Sequence, residues 1–168
     1  MMKKGVYAGS FDPLTKGHMW MIKRGASLFD ELVVVVGTNP EKNYTFTIEE
    51  RFELLKKSTK DIKNVKLDVM KNRFLVKYAE SIQANYILRG IRTENDYSFE
   101  RVMRYINGDM NSEINTIFLM PPREIAEVSS SMIKGLIGPD GWQEVVKKYV
   151  TAPVYKLFLK RFGEDKSY

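Results

Sequence analysis

The chain has 168 residues, 43% of them hydrophobic and 29% charged, with one histidine and no cysteine. That length suits a single domain able to close a hydrophobic core, and the lack of cysteine excludes disulfides and thiolate metal sites. The formal net charge of +6 invites an anionic partner, but lysine and arginine are scattered without a block, which argues against a nucleic-acid tail or a polybasic membrane anchor.

In chain order, KKGVYAG (3–9) reads as a first strand that stops at Gly9. Asp12-Pro13 turns the chain, and Met19, Ile22, Ala26 and Phe29 then recur at helical spacing. ELVVVVGT (31–38) is a continuous apolar run of the kind found in a parallel sheet covered on both faces. Residues 39–44 read as a loop. Thr47 with Glu50 three residues on is a capping box, and Ile48, Phe52 and Leu55 give the helix that follows its inner face. NVKLDVM (64–70) alternates as a strand, FLVKYAESIQA (74–84) reads as a helix and NYILRG (85–90) as a short strand. NDYSFERVMRYIN (95–107) predicts a helix with Phe99, Val102, Met103 and Ile106 facing inward, and INTIFLM (114–120) a strand stopped by Pro121-Pro122. SSSMIKGLI (129–137) reads as a serine-capped helix. Trp142, Val145, Val146 and Tyr149 mark another, Pro153 is expected to break the chain, and Val154, Leu157, Phe158 and Phe162 suggest a last helix. The tail from Gly163 is expected to fray.

Five strands alternating with helices predict an α/β fold. The expected architecture is a five-stranded parallel doubly wound (Rossmann-like) sheet in a single domain over residues 1–168, with C-terminal helices from about residue 141. In such sheets ligands bind beyond the carboxyl ends of the strands. The residues collected there are Gly9–Pro13, Thr38–Lys42, Asn72–Leu75, Arg89–Arg92 and the segment leading into Ser129–Ser131. Lys42, Arg73, Arg89, Arg92 and His18 are expected to share one rim. Cations, small residues and helix starts together describe a polyphosphate site. Taken singly, each residue has a plainer reading as a surface cation, an N-cap serine or a core leucine. The joint placement argues for a site.

The chemistry is narrowed by what the sequence omits. It contains no GxxxxGK(S/T), no GxGxxG after the first strand and no HExxH, and one histidine cannot build a multi-imidazole metal site. Nucleotidyl transfer onto an existing phosphate fits better. The nucleophile is already an anion, so the protein needs alignment and positive charge rather than a general base.

Thr15-Lys16-Gly17-His18 resembles the (H/T)xGH motif of the nucleotidyltransferase superfamily. FTIEER (46–51), ILRGIRTENDYSFE (87–100) and FLMPPREIAEVSSSMIK (118–134) follow in the order and spacing of the phosphopantetheine adenylyltransferase family, over residues 3–137. The resemblance implies transfer of AMP from ATP to 4′-phosphopantetheine with Mg²⁺, giving dephospho-coenzyme A and pyrophosphate. It also implies a homohexamer in the bacterial cytoplasm, with no membrane or nucleic-acid partner. It gives His18 the role of stabilising the α-phosphate in the transition state. Ser10 would contact both substrates, and Lys42, Leu75 and Arg89 would hold the pantetheine-side substrate. ATP would be bound by Ser10, Phe11, His18, Gly90, Ile91, Arg92, Glu100, Ile125, Ala126, Glu127, Val128, Ser129, Ser130 and Ser131, with Phe11 on the rim and Gly17 permitting close phosphate approach. No side chain is assigned to the metal. The chain departs from the family pattern at Ser10, where threonine is usual, and at Ile125, where an aromatic is common. It departs again at Glu127, where an apolar residue is usual, and at Gly108, where arginine is common. A cytidylyltransferase or a mononucleotide adenylyltransferase is disfavoured by Thr15 and ILRGIR. A non-catalytic nucleic-acid module rests on the net charge alone.

Overall fold

The strands of the computed structural model, which describes residues 2–38 and 42–163, are β1 (Lys4–Gly9), β2 (Glu31–Gly37), β3 (Val65–Met70), β4 (Tyr86–Gly90) and β5 (Asn115–Leu119). They form one sheet in the order β3-β2-β1-β4-β5, every neighbouring pair parallel. The chain winds outward from β1 to β3 and then returns to β4 on the other side of β1, so the switch point lies between β1 and β4.

The valine run explains why β2 is central. Val34 and Val36 pack on one face with Leu14, Ile22, Leu55 and Phe158, and Val33 and Val35 on the other with Val6, Val76 and Ile87. A strand side chain buried this fully is worth roughly 1.5–3 kcal/mol, and a period of two supplies both faces from one segment. The first face is covered by α1 (Lys16–Leu28) and α2 (Ile48–Thr59). The second is covered by α3 (Leu75–Ser81) and touched by Met110 at the end of α4 (Glu94–Met110). The Thr47–Glu50 capping box is formed as expected.

Several expectations are corrected. α3 ends at Ser81 rather than continuing to residue 84, because Gln83 turns into the left-handed region at φ 56°. The α4 stripe does not face inward: Phe99 is 62% exposed, Val102 50% and Ile106 41%, while Glu100 and Asn107 are the buried residues. Periodicity correctly gave a two-faced helix but not which face meets the sheet. A short helix not expected from sequence, α5 (Arg123–Ala126), precedes α6 (Ser130–Gly135). α7 (Trp142–Val146) is shorter than its stripe, and Pro153 lies in the first turn of α8 (Ala152–Phe162) rather than breaking it, since proline lacks only an N–H the first turn leaves unpaired anyway. The C-terminal helices close the first core face, Phe158 stacking on Phe46 at 5.5 Å and tilting against Trp142 at 6.4 Å. The expected loop at 39–44 and the frayed tail fall in part outside the described residues.

Candidate active site

The first side chains to consider follow β1. Gly9 ends the strand where a Cβ would press on the Phe11 ring at 3.0 Å. Phe11 has φ 49° and a fully buried side chain that meets Tyr7 and His18 edge-on at 5.7 and 5.2 Å. It therefore belongs to the core and not to the rim.

α1 begins at the next motif. Thr15 is its N-cap and His18 its third residue. The Thr15 hydroxyl accepts the His18 N–H at 3.3 Å, and the Thr15 N–H donates to His18 Nδ1 at 3.1 Å. With Nδ1 an acceptor, the ring proton sits on Nε2, which is the polar atom left for the cavity. Burial, followed by the nearby Arg92 charge, pushes the imidazole pKa down to about 4, so the ring is neutral at pH 7. The missing Cβ of Gly17 accommodates the Val128 carbonyl, 3.0 Å from where that atom would stand, rather than a phosphate directly.

Two cavities open at the carboxyl ends of the strands. The first, about 350 Å³, is lined by Ser10, Gly17, His18, Arg89, Gly90, Arg92, Asp96, Glu100, Ile125, Val128 and Ser129–Ser131. The second, about 410 Å³, is lined by Ser10, Thr38, Lys42, Tyr44, Met70, Arg73, Phe74, Leu75, Arg89, Phe99, Glu100 and Met103. Ala8, Gly9, Ser10, Arg89 and Glu100 line both. A larger groove of about 610 Å³ runs between α2 and α8, and none of the residues chosen from sequence lines it.

Arg89 is held rigidly at the shared wall. Its Nε donates to Glu100 Oε2 at 2.9 Å, its Nη2 to Glu100 Oε1, and its Nη1 to the Ala8 carbonyl at 3.2 Å. Burial alone would lower its pKa; the Glu100 hydrogen bonds and charge outweigh that and raise it, so the guanidinium stays charged. Arg92 pairs with Asp96 at 2.9 Å. Burial opposes ionisation of Asp96, and the Arg92 hydrogen bonds and charge reverse this and lower its pKa. Ser129 caps α6 by accepting the Met132 N–H at 3.1 Å, and the Ser130 hydroxyl donates to the Pro13 carbonyl at 2.8 Å. Phe11, Ile91, Ala126 and Glu127 do not line either cavity. Ile91 is buried, its N–H on the Leu119 carbonyl.

Two buried residues escaped sequence reasoning. Asp12 accepts the Thr45 and Phe46 N–H groups at 3.0 and 2.9 Å and pairs with Lys134 at 3.1 Å. It thus ties the β1–α1 loop both to the segment before α2 and to α6, where Asp-Pro alone reads only as a turn. Arg51 lies on the inward stripe 48-51-52-55, and a cation at that position of an apolar period was its available signal.

A protein of Chromobacterium violaceum named phosphopantetheine adenylyltransferase is 56% identical over 98% of this chain and 100% of its own. This chain belongs to the phosphopantetheine adenylyltransferase family. A relative of that name from Neisseria meningitidis serogroup C is 55% identical, covering 94% of this chain and 92% of its own. The cytidylyltransferase-like family model matches residues 6–136, which span β1 through α6. The fold is shared with the Plasmodium falciparum nicotinic acid mononucleotide adenylyltransferase complexed with NaAD, at a TM-score of 0.71 and 15% identity, over 95% of this chain and 96% of that one. As a member of the phosphopantetheine adenylyltransferase family, the chain brings His18, Lys42, Leu75 and Arg89 from four strand ends to two adjoining cavities.

Proposed function

We propose that this chain transfers AMP from ATP to 4′-phosphopantetheine, giving dephospho-coenzyme A and pyrophosphate. The observation that carries the reading is the pair of cavities meeting at Ser10, Arg89 and Glu100, with the His18 imidazole on one side only. The first cavity takes the nucleotide: Ser10, Gly90, Arg92 and Ser129–Ser131 face its phosphates, and Ile125 and Val128 its apolar wall. The second takes the acceptor, with Lys42 and Arg89 on its phosphate and Leu75 beside its arm. Phe11, Ile91, Ala126 and Glu127 would act there through backbone alone.

The acceptor phosphate oxygen attacks the α-phosphorus. The new P–O bond forms as the bond to the β-bridging oxygen breaks, and pyrophosphate leaves with that electron pair. The attacking oxygen is an anion already, so no base is required. The His18 Nε2–H donates to the α-phosphoryl oxygen as charge builds on it, and Arg89 neutralises the acceptor. Glu100, with both oxygens on Arg89, acts by orienting that guanidinium.

Among the described residues no group of acidic or imidazole side chains is placed to hold a metal, and the cavity carboxylates Asp96 and Glu100 are paired with arginines. This donor set fits Mg²⁺ arriving on the nucleotide and keeping several waters. When bound, Mg²⁺ supplies neutralisation of the phosphates and of the leaving pyrophosphate.

The working form is a homohexamer in the cytoplasm. The assembly is supported by the exposed Phe99, Val102, Tyr105 and Ile106 on α4, an apolar face of the kind that covers itself by self-association. Among the described residues no helix is long and apolar enough to cross a membrane. The test mixes protein, Mg²⁺, ATP and 4′-phosphopantetheine and measures pyrophosphate, with CTP and nicotinate mononucleotide as controls. Turnover is expected with the named pair; turnover only with a control overturns the reading.

A further inference from the structure

Arg51 stands on α2, yet its guanidinium lies beneath the meeting point of the two cavities. The side chain is 2% exposed and stacks on Tyr44, Cζ 4.1 Å from the ring centroid. Nη1 donates to the carbonyls of Ser10 at 2.8 Å and Gly37 at 3.3 Å, and Nε to the Thr47 carbonyl at 3.4 Å. None of these three bonds goes to a carboxylate. Ser10 and Gly37 stand at the ends of β1 and β2, so one side chain holds the starts of both loops that line the site.

The geometry sets what this hold can do. The Ser10–Phe11 peptide is trans, the single cis bond among the described residues being Asp12–Pro13. In a trans peptide the C=O and N–H point in opposite directions. Pinning the Ser10 carbonyl toward α2 therefore turns the Phe11 N–H away from α2. Among the described residues this N–H has no acceptor, although buried backbone donors are almost always paired. Phe11 at φ 49° occupies a region that non-glycine residues rarely adopt, and such a conformation persists only where its surroundings impose it. A cation on the carbonyl also polarises the peptide and strengthens its N–H as a donor.

We propose that Arg51 is a positioning residue for adenylyl transfer, which by holding the Ser10 and Gly37 carbonyls aims the Phe11 N–H at the phosphoryl group in flight. It never touches substrate itself. The inference rests on the adenylyl-transfer reading above and adds a residue behind the site to it.

The test compares Arg51→Gln and Arg51→Lys with the wild-type chain, each shown to be folded by circular dichroism and thermal melting. In Arg51→Gln, kcat is expected to fall about 100-fold, the scale of losing one transition-state donor, while KM for either substrate changes by less than about threefold. Arg51→Lys keeps the charge but not the fork over two carbonyls, and it recovers about tenfold of that loss. A folded Gln variant with kcat within about threefold of wild type, or one in which kcat and both KM values worsen together, overturns the proposal. A second measurement uses the wild-type chain. Adding α,β-methylene-ATP is expected to move the Phe11 amide proton downfield, and an unmoved resonance overturns the proposal even if no variant folds. That titration needs no acceptor, so it is separable from failure of the adenylyl-transfer reading, which would appear as a wild-type chain without turnover on 4′-phosphopantetheine.

Discussion

The first cavity, proposed for the nucleotide, has among its walls groups anchored to backbone: His18 locked to its own N-cap, serines at the start of α6, and Ser10 tied through Arg51. The second cavity, proposed for the acceptor, has among its walls the long side chains of Lys42, Arg73, Phe74, Leu75 and Met103, of which Lys42, Arg73 and Phe74 are exposed. The difference matches two tasks. Charge develops at one phosphorus within a bond length, and donors there help only if they need no reorganisation. A flexible arm carrying a terminal phosphate is a binding problem, and adjustable cations with an apolar wall suffice for it.

The sharpest way to break this comparison is His18→Ala. Loss of a preorganised donor predicts kcat down by about 1000-fold with ATP KM nearly unchanged; near-normal turnover would leave His18 as no more than a helix cap. Next in size, Glu100→Gln releases the shared Arg89, and kcat/KM should fall about 50-fold for both substrates. Combining it with Arg89→Gln should add little, because the two act as one unit, whereas additive losses would separate them. On the acceptor side, Lys42→Met and Leu75→Ala should each raise the 4′-phosphopantetheine KM about tenfold and leave the ATP KM alone. Equal effects on both KM values would dissolve the division into two cavities. The smallest effect is on stability: Ser129→Ala removes the α6 cap and should cost about 1 kcal/mol in urea unfolding.

A titration sharpens the same contrast without altering the chain. His18 is the only histidine, so its imidazole resonance is followed without assignment ambiguity. The midpoint is expected at about 4, and one near the ordinary 6.5 would rule out the desolvated, neutral imidazole. The sign for stability follows. With the folded pKa below the unfolded one, the contribution of this group is complete above pH 6.5 and is lost as pH falls toward 4. Protonating Nδ1 would also break the hydrogen bond from the Thr15 N–H.

The parallel sheet was legible because β2 is apolar without a break from Leu32 to Val36 and the other strands recur between amphipathic helices. The strand ends then pointed to Lys42, Arg89 and His18 without further help. The orientation of α4 was not legible. Phe99, Val102 and Ile106 mark an apolar face, and a period of 3.6 is silent on whether that face meets this chain's core or another surface. Phe11 and Asp12 were placed too far out, because a turn-like sequence does not reveal that a phenyl ring and a carboxylate fold back beneath the loop.

By itself the sequence determined the order of the five strands, the parallel topology, the family and the strand ends where the proposed site lies. All of these depend on local periodicity, capping and motif spacing, which act over a few residues. Only the tertiary structure decided the hold of Arg51 on two strand ends, the Asp12–Lys134 tie, the Glu100 clamp on Arg89 and the outward face of α4. Those are contacts between residues far apart in the chain or between a face and whatever covers it, and they exist only once the sheet has brought its loops to one edge.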